Sequence, residues 1–233
     1  DDIAGGVQSS PLMGREGSDI EDLVIYSISR TPSAYKGLLT AFNKETGEVR
    51  SGQIDAPEGF DYYLIKLDGV SAEAGFKKTE NHGRLEYSFS ELVKRCGIDM
   101  TECSIIEENG RAHFLTRRFD REKGKKIHMQ TLCGMAHYDF RFQRGYSYEQ
   151  VFNVMRRLRL PYSQAQEMFR RMVFNVVLRN QDDHTKNISF LMGPDGQWRL
   201  SPAYDMGFAY NPAGAWTRTH QMSINGKFDD LTR

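Results

Sequence analysis

Three side chains in the C-terminal quarter of the sequence constrain this chain more than any other feature: Asp182, Asn187 and Asp205. Asn187 lies five residues after Asp182, and Asp205 follows eighteen residues later. Phosphoryl transfer requires a carboxylate that accepts the proton of the attacking hydroxyl and oxygen ligands for a metal ion, and these residues have that chemistry and spacing. A tight loop can point Asp182 and Asn187 the same way, and a hairpin over residues 188–200 would return the chain to Asp205. The pattern therefore predicts a phosphoryl-transfer site.

The same loop contains His184 and Lys186, which we include as candidate catalytic residues. Zinc ligation by His184 is disfavoured because no pair of His or Cys residues lies nearby in the sequence. For this segment taken alone, the alternatives are a solvated charge at Lys186 and an ordinary polar turn at the Asp-Asp-His cluster. The combination with Asp205 and with an upstream Lys and Glu favours a functional site.

A lysine within an apolar strand candidate marks the N-terminal half. Lys66 lies in the run 62–68, and burying its ammonium group is unfavourable unless an anion accompanies it, a role that suits triphosphate oxygens. A helix is predicted over residues 84–95. Glu86 in its first turns is the predicted ion-pair partner that orients Lys66 toward the phosphates, and Glu91 is the competing candidate.

A second hairpin is predicted over residues 103–116, with turn formers at residues 108–111. Arg117, Arg118 and Phe119 follow it, at the place where a hinge between two lobes would fall. Backbone groups of these three residues could pair with adenine, which makes them candidate cofactor-binding residues.

The periodicity of the chain predicts an α+β fold in two lobes. A β-rich N-terminal lobe would occupy residues 1–119 and bind nucleotide, and a mainly helical C-terminal lobe would occupy residues 120–233 and carry the catalytic loop. Besides the helix of the N-terminal lobe, helices are predicted over residues 19–29, 129–137, 147–158 and 163–178.

The last of these helices has an apolar stripe, which predicts a buried and rigid mount for the catalytic loop. Ser163 is its predicted cap. The loop over residues 138–146 is interpreted as plain surface, with a lining of the substrate approach as the alternative. The stripe lies on adjoining rows of the helix: Met168, Phe169, Met172, Val173, Val176 and Val177.

The composition fits a folded domain. Hydrophobic residues make up 39% of the 233 residues, and 31 basic side chains balance 31 acidic ones. Zero net charge argues against a strongly electrostatic nucleic-acid binder, and the basic run 123–126 is interpreted as a solvated hairpin tip. Three cysteines without metal spacing indicate reduced thiols. No apolar stretch approaches the ~18 residues of a membrane span, and no signal-peptide pattern occurs, so we expect a cytoplasmic protein without membrane contact.

Taken together and in this order, the motifs resemble those of HipA-type serine/threonine protein kinases, the toxins of bacterial toxin–antitoxin pairs. The likeness runs from about Gly52 to Lys227. The segments that carry it are residues 64–66, the Glu86 helix with its end at residues 96–98, and residues 114–121, 180–187 and 198–205.

The resemblance implies a bilobal protein-kinase-like fold with ATP and Mg²⁺ as cofactors. It also implies that Lys66 contacts the ATP phosphates, that Asp182 is the catalytic base, that Asn187 and Asp205 bind magnesium, and that Lys186 lies near the transferred phosphate. The family phosphorylates proteins on Ser or Thr, with aminoacyl-tRNA synthetases as known targets. Its partner is a small helix-turn-helix antitoxin, so contact with DNA would be indirect, through the antitoxin.

Two features differ from the family pattern. The family usually has a loop of small residues and Gly before its second strand, often with a Ser that is autophosphorylated to switch the enzyme off. The matching residues 27–37 lack the Gly pair, and Ser29 and Ser33 are the candidates for autophosphorylation, with an ordinary polar turn as the alternative. The family also continues into several more helices, whereas 28 residues follow Asp205 here. The core of the C-terminal lobe is therefore expected to be incomplete.

Three functions agree with these residues, and an ATP-dependent serine/threonine protein kinase is the favoured one. A phosphotransferase of the same fold that acts on a small molecule or a lipid headgroup is the second, because the base and the metal ligands do not identify the acceptor. A non-catalytic kinase-fold partner of an antitoxin is the third. The complete set of Lys66, Asp182, Asn187 and Asp205 disfavours the third, and the resemblance disfavours the second.

Overall fold

The structure is a computed structural model that describes residues 38–52, 55–71, 75–76, 81–122 and 124–231. The candidate serines Ser29 and Ser33 and the helix predicted over residues 19–29 lie outside the described residues, so they stay predictions.

The described chain divides into two compact units. Residues up to Tyr87, together with Glu102–Arg118, form the first unit, and Ser88–Thr101, together with residues from Phe119 onward, form the second. The lobe boundary that the sequence places between residues 119 and 120 stays a prediction.

The first unit is built on an antiparallel sheet of five strands in the order β2-β1-β3-β7-β6. Alternate side chains of β3 point inward, and Tyr63 and Ile65 pack with Leu38, Val49 and Leu115 in its core, as expected for a sheet with one covered face. The strands of this unit are β1 (Leu38–Phe42), β2 (Val49–Ser51), β3 (Asp61–Lys66), β4 (Val70–Ser71), β5 (Gly75–Phe76), β6 (Cys103–Glu108) and β7 (Arg111–Arg117).

The β6–β7 hairpin confirms the prediction made from its turn formers. Asn109 and Gly110 both have positive φ, at 48° and 77°, which is the geometry of a two-residue turn that matches the twist of the strands. Helix α1 (His82–Arg95) is also confirmed, beginning two residues before the predicted start at residue 84. Its chain reverses at Gly97, whose φ of 71° favours glycine.

Within the described residues, the second unit combines the C-terminal part of α1, three further helices and short strands. A three-stranded antiparallel sheet in the order β10-β12-β13 carries the predicted hairpin, and β11 pairs with β14 in parallel. The strands are β8 (Arg121–Glu122), β9 (Lys125–Lys126), β10 (His128–Thr131), β11 (Tyr146–Ser147), β12 (Ser189–Met192), β13 (Trp198–Leu200) and β14 (Met222–Ser223). The helices are α2 (Leu132–Ala136), α3 (Tyr148–Arg157) and α4 (Tyr162–Val177).

The helix predicted over residues 129–137 is wrong in its first part. Met129 and Gln130 belong to β10 and pair with β12, so the helix begins only at Leu132. The Thr131 hydroxyl accepts a hydrogen bond from the Gly134 N–H, and this cap sets the start of the helix. The side-chain pattern of residues 129–131 is compatible with a helix or with a strand, and pairing with β12 selected the strand.

Helix α3 confirms its prediction and has a complete capping box. The Ser147 side chain accepts from the Gln150 N–H, and the Gln150 side chain accepts from the Ser147 N–H at 2.8 Å. Helix α4 differs, because it begins after Pro161 without a side-chain cap, so the predicted cap at Ser163 is wrong.

The predicted apolar stripe of α4 is only half correct. Met168 and Met172 are buried, whereas Phe169, Val173 and Val177 are exposed by 54%, 40% and 67%. The buried face of α4 instead carries polar side chains among its apolar ones. The face consists of Glu167, Met168, Arg171, Met172, Phe174 and Asn175.

Buried polar groups on α4 connect it to the chain around it. Arg171 Nε donates to Glu167 Oε1 at 3.0 Å, and Arg171 Nη2 donates to the Ser201 carbonyl oxygen at 2.9 Å. Glu167 Oε1 also accepts from the Asp99 N–H at 3.0 Å. A buried ion pair of this kind is tolerated because hydrogen bonds satisfy both partners. Helix α4 is thus the mount that the sequence predicted, held by polar contacts as well as by apolar packing.

Of the basic run 123–126, the structure describes residues 124–126; Lys125 and Lys126 form β9 and are exposed, in agreement with a solvated tip. Within the part of the chain that the structure describes, every helix is too short or too polar to cross a bilayer.

Candidate active site

The loop that follows α4 is attached to the end of that helix. The Asn180 N–H donates to the Asn175 carbonyl oxygen at 2.9 Å, and the Asn180 side chain donates to the Asn175 side chain at 2.9 Å. Both Asn residues are buried. The start of the loop therefore has a defined position relative to the helix, which is what a precisely placed catalytic group requires.

Hydrogen bonds inside the loop bring Asp182 and Asn187 together. The His184 N–H donates to the Asp182 carbonyl oxygen, and the Asn187 N–H donates to the His184 carbonyl oxygen, both at 2.9 Å. The Asn187 side-chain amide donates to the same Asp182 carbonyl oxygen at 2.9 Å. A 3-10 helix over Thr185–Asn187 completes this tight turn. The five-residue spacing thus folds as its pattern predicted.

The hairpin of β12 and β13 returns the chain to the loop. The Ser201 N–H donates to the Ser189 carbonyl oxygen at 2.9 Å, and the Tyr204 hydroxyl donates to the Lys186 carbonyl oxygen at 2.6 Å. The Tyr204 hydroxyl also bonds with Ser189 Oγ, and burial raises the pKa of Tyr204, so its proton stays in place. These contacts hold the residue next to Asp205 against the loop.

Asp205 itself has a left-handed backbone, with a φ of 55°. A residue other than glycine in this region is uncommon, Asp and Asn being the most tolerant, and such strain concentrates at functional sites. Asp205 is exposed, and with Asn187 it lines a cavity of about 20 Å³ beneath the loop. The two predicted metal ligands therefore both border one small cavity.

Negative charge is concentrated around Asp182. Burial raises the pKa of Asp182, and the negative charges of Asp205 and Asp183 raise it further, while a hydrogen bond from Trp216 and the nearby His184 act in the opposite direction. A cation among these carboxylates would relieve the repulsion.

The donor atoms suit magnesium. The Asn187 amide nitrogen is used as a donor to the Asp182 backbone, and its oxygen is the atom that could bind a cation, together with the Asp205 carboxylate. Mg²⁺ prefers such oxygen ligands and completes its octahedron with water and phosphate oxygens. Among the described residues, no cluster of three or more His, Cys, Asp or Glu side chains could hold a metal by protein ligands alone.

His184 and Lys186 lie against aromatic rings. The Phe140 and His184 ring centroids are 5.4 Å apart, and the Lys186 ammonium lies 4.1 Å from the Phe140 centroid. His184 Nε2 is 3.7 Å from Asp182 Oδ1. Trp216 contacts both rings and donates its indole N–H to Asp182 Oδ1. Phe140 and Trp216 are not predicted from the sequence, because no local pattern connects either residue to the loop.

The loop over residues 138–146 is more than the plain surface that the sequence suggested. In addition to the contacts of Phe140, the Thr185 hydroxyl donates to the Tyr138 carbonyl oxygen at 2.7 Å. This loop packs against the candidate catalytic loop through Tyr138 and Phe140, while residues 141–144 are exposed as in a surface loop. A lining of the substrate approach stays a prediction.

The residue next to Asp182 has a different environment. Asp183 is buried, and its Oδ2 accepts from the Tyr148 hydroxyl at 2.9 Å and lies 3.0 Å from His220 Nδ1, while its Oδ1 accepts from the Gln221 N–H at 2.7 Å. The Asn175 side chain donates to the Tyr148 hydroxyl at 3.0 Å. Burial and the Asp183 charge raise the pKa of Tyr148, so its hydroxyl stays a donor. This network was also missed, since its members are scattered along the sequence.

In the first unit, the predicted ion pair is present. Lys66 Nζ lies 3.0 Å from Glu86 Oε2, and both side chains are partly buried. The competing candidate, Glu91, instead pairs with Lys94 at 3.0 Å on the surface of α1. The choice between the two glutamates is thus decided in favour of Glu86, while the contact of Lys66 with phosphate stays a prediction.

The residues predicted at the hinge have defined partners. The Arg117 N–H donates to the Glu102 carbonyl oxygen and the Arg118 N–H donates to the Tyr62 carbonyl oxygen, both at 2.8 Å. These two N–H groups would have to leave the sheet before they could bond to adenine. Phe119, in the second unit, lines a separate cavity of about 260 Å³. A role of these residues in adenine binding stays a prediction.

Comparison with known proteins identifies the family. The profile of the HipA-like C-terminal domain matches residues 36–233. The chain belongs to this family. This membership accounts for the order of the motifs from Lys66 to Asp205.

Two curated relatives of this chain show how much of its length the likeness covers. The serine/threonine-protein kinase toxin HipA of Shewanella oneidensis is 34% identical over 163 residues, which cover 60% of this chain and 37% of the relative. A protein of Haemophilus influenzae named as a proposed kinase is 27% identical over 134 residues, which cover 52% of this chain and 39% of the relative. The chain spans 30–52% of the length of the curated relatives it matches.

A solved structure has the same fold. HipA in the Shewanella oneidensis complex of HipA, HipB and operator DNA superposes with a TM-score of 0.66 at 20% identity. The match covers 92% of this chain and 55% of the other. The likeness supports the α+β kinase-like fold class predicted from the sequence.

We expect Asp183→Ala to destabilise the second unit strongly. The substitution leaves the Tyr148 hydroxyl and the Gln221 N–H buried without their acceptor, which costs about 3 kcal/mol or more. Asp183→Asn, which keeps one carbonyl oxygen, should cost less. Chemical denaturation gives the free energies of unfolding, with Asp229→Ala on the surface as the matched control, expected within about 0.5 kcal/mol of the parent. An Asp183→Ala protein as stable as this control would contradict the structural role.

Proposed function

We propose that this protein is an ATP-dependent serine/threonine protein kinase of the HipA type that acts as a bacterial toxin. The observation that carries the proposal is that Asp182, Asn187 and Asp205 lie close to one loop. The Asn187 side chain donates to the Asp182 carbonyl oxygen, and the hydroxyl of Tyr204, the residue before Asp205, donates to the Lys186 carbonyl oxygen. The Lys66–Glu86 ion pair of the first unit supplies the expected phosphate-binding lysine. Membership of the HipA-like family supports the same activity.

In this proposal Asp182 is the general base. It would accept the proton of a Ser or Thr hydroxyl as that oxygen attacks the γ-phosphate. Asp183 is unsuited to the role, because its carboxylate is buried and already bonded to donors from Tyr148, His220 and Gln221. His184, 3.7 Å from Asp182, is close enough to influence the base electrostatically.

The other residues would bind the nucleotide and its metal. Asn187 and Asp205 would hold Mg²⁺, and Lys66, oriented by Glu86, would contact the ATP phosphates. When bound, Mg-ATP supplies the phosphoryl group and the positive charge that neutralises the phosphate oxygens. Lys186 would lie near the transferred phosphate. Its ammonium lies over the Phe140 ring, and it would either act from that position or move off the ring.

The biological setting is proposed by analogy with the relatives. The toxin name of the Shewanella relative and the HipB partner of the matching structure support a small helix-turn-helix antitoxin, with DNA contacted through it. A protein hydroxyl on an aminoacyl-tRNA synthetase is the proposed acceptor, and the cytoplasm is the proposed location. Ser29 and Ser33 are the proposed sites of autophosphorylation.

Asp182→Ala should abolish phosphoryl transfer while ATP still binds. Loss of a positioned general base lowers the rate by ~10²–10⁴-fold with little effect on nucleotide affinity. Transfer of radiolabelled phosphate from ATP to proteins of a cell lysate measures the rate, and calorimetry measures ATP affinity. Asp195→Ala, in the exposed turn between β12 and β13, is the control and should keep full activity. Near-normal turnover of Asp182→Ala would remove Asp182 as the base, and labelling of small molecules or lipids alone would reject a protein acceptor.

Nucleotide binding should require a divalent metal. EDTA should weaken calorimetric ATP binding, and excess Mg²⁺ should restore it, because carboxylate and amide oxygens need the ion to bridge them to phosphate. Asp205→Ala should bind ATP weakly even with Mg²⁺ present, and Asp195→Ala should behave as the parent. ATP affinity that does not change with EDTA would contradict a metal site at Asn187 and Asp205.

Expression of the complete protein in a bacterial host should arrest growth through its kinase activity. Asp182→Ala should relieve the arrest, and so should Lys66→Ala, which removes the charge that holds the phosphates. Co-expression of the helix-turn-helix partner should relieve it as well. Growth curves at matched protein levels test this, since either substitution could also lower stability. Undiminished arrest by a folded Asp182→Ala protein would show that toxicity comes from binding alone.

A further inference from the structure

One residue outside the candidate catalytic loop makes direct contact with the proposed base. The Trp216 indole N–H donates to Asp182 Oδ1, although 34 residues separate the two in sequence. An indole nitrogen can only donate a hydrogen bond, so Trp216 cannot accept a proton and cannot itself be the base. It occupies one carboxylate oxygen and leaves the second to receive the proton of the acceptor hydroxyl.

The indole is itself held in place. The Gln221 side chain donates to the Trp216 carbonyl oxygen, and the Gln221 N–H is anchored on Asp183 Oδ1 at 2.7 Å. The Phe140 and His184 rings lie edge-on to the indole, with centroids 6.4 Å and 6.1 Å away. Edge-to-face packing and the backbone anchor together restrict rotation of the ring.

Three loop residues contact the segment that contains Trp216. The Gln181 side-chain amide, oriented with its nitrogen toward the Thr217 carbonyl oxygen, donates to it at 2.9 Å, Asp182 accepts from Trp216, and Asp183 accepts from the Gln221 N–H. Three consecutive loop residues thus bond to one short stretch of chain. Several contacts between the two segments restrict how Trp216 lies against Asp182, as a precisely positioned side chain requires.

We propose that Trp216 is a positioning residue that selects the orientation of the Asp182 carboxylate for the acceptor hydroxyl. The inference rests on the proposed kinase function and adds a residue that no motif of the sequence indicated. Because Trp216 would act through Asp182, a substitution of Trp216 should lower the rate of phosphoryl transfer and leave nucleotide binding unchanged. A ring that only filled space would have the opposite signature, since Phe would replace it without loss of rate.

The hydrogen bond can be tested in the folded protein without any assay of activity. The chain has two tryptophans, Trp198 and Trp216, so an NMR spectrum contains two indole N–H signals that Trp198→Phe and Trp216→Phe assign. In Asp182→Ala, the Trp216 signal should shift and exchange faster with solvent, and the Trp198 signal should stay unchanged. A Trp216 signal that does not respond to Asp182→Ala would overturn the inference.

The rate is the second test. Trp216→Phe keeps an aromatic ring beside Phe140 and His184 but removes the donor, and we expect kcat to fall about 10- to 100-fold, as for loss of a hydrogen bond to a charged group. The KM for ATP and the midpoint of thermal unfolding should stay close to those of Trp198→Phe, the matched control. Full kcat in Trp216→Phe would refute the positioning role.

A double variant separates positioning from general structural damage. In an Asp182→Ala background, Trp216→Phe should cause no further loss of residual transfer, because the group it orients is absent. An equal loss in both backgrounds would mean that Trp216 acts through the fold and not through Asp182. If the parent protein transfers no phosphate from ATP, the proposed function fails and the inference with it. If the parent is active and Trp216→Phe is equally active, the inference alone fails.

Discussion

The candidate site depends on the hydrogen bonds that the buried carboxylate of Asp183 accepts. Removing a charged group from water is unfavourable unless hydrogen bonds replace the lost hydration, and Asp183 receives them from Tyr148 on α3 and from the Gln221 backbone, with His220 alongside. Because the partners come from two separate parts of the second unit, the carboxylate is satisfied only when α3, the loop after α4 and the segment before β14 adopt one arrangement. A buried polar network of this kind favours a single structure over its alternatives.

This arrangement gives two neighbouring carboxylates different roles. Asp183 is 2% exposed, whereas the Asp182 side chain is 38% exposed. Asp182 contacts the Trp216 indole and shares its surroundings with Asp205. The residue that anchors the loop and the residue that would perform the chemistry are therefore adjacent in the sequence. The stability of the loop, which depends on Asp183, is therefore linked to the position of the proposed base, Asp182.

Several features followed from short stretches of sequence. The Asn109–Gly110 turn and the tight loop from Asp182 to Asn187 form as predicted, because their hydrogen bonds join residues within a few positions of each other. The pairing of Lys66 with a glutamate was also foreseeable, since a partly buried ammonium needs an anion. The choice of Glu86 over Glu91 needed the structure, as both were candidates on the same helix.

The errors have a common cause. Residues 129–131 could form a helix or a strand by their own pattern, and pairing with β12 selected the strand. The apolar rows of α4 did not show which face would be covered, and the face that is buried also holds Glu167, Arg171 and Asn175. Local sequence thus specified the turns and the spacing of the candidate catalytic residues. Which carboxylate is buried, and which indole contacts the other, was selected by packing between segments 34 to 38 residues apart, because side-chain burial depends on neighbours that no local pattern encodes.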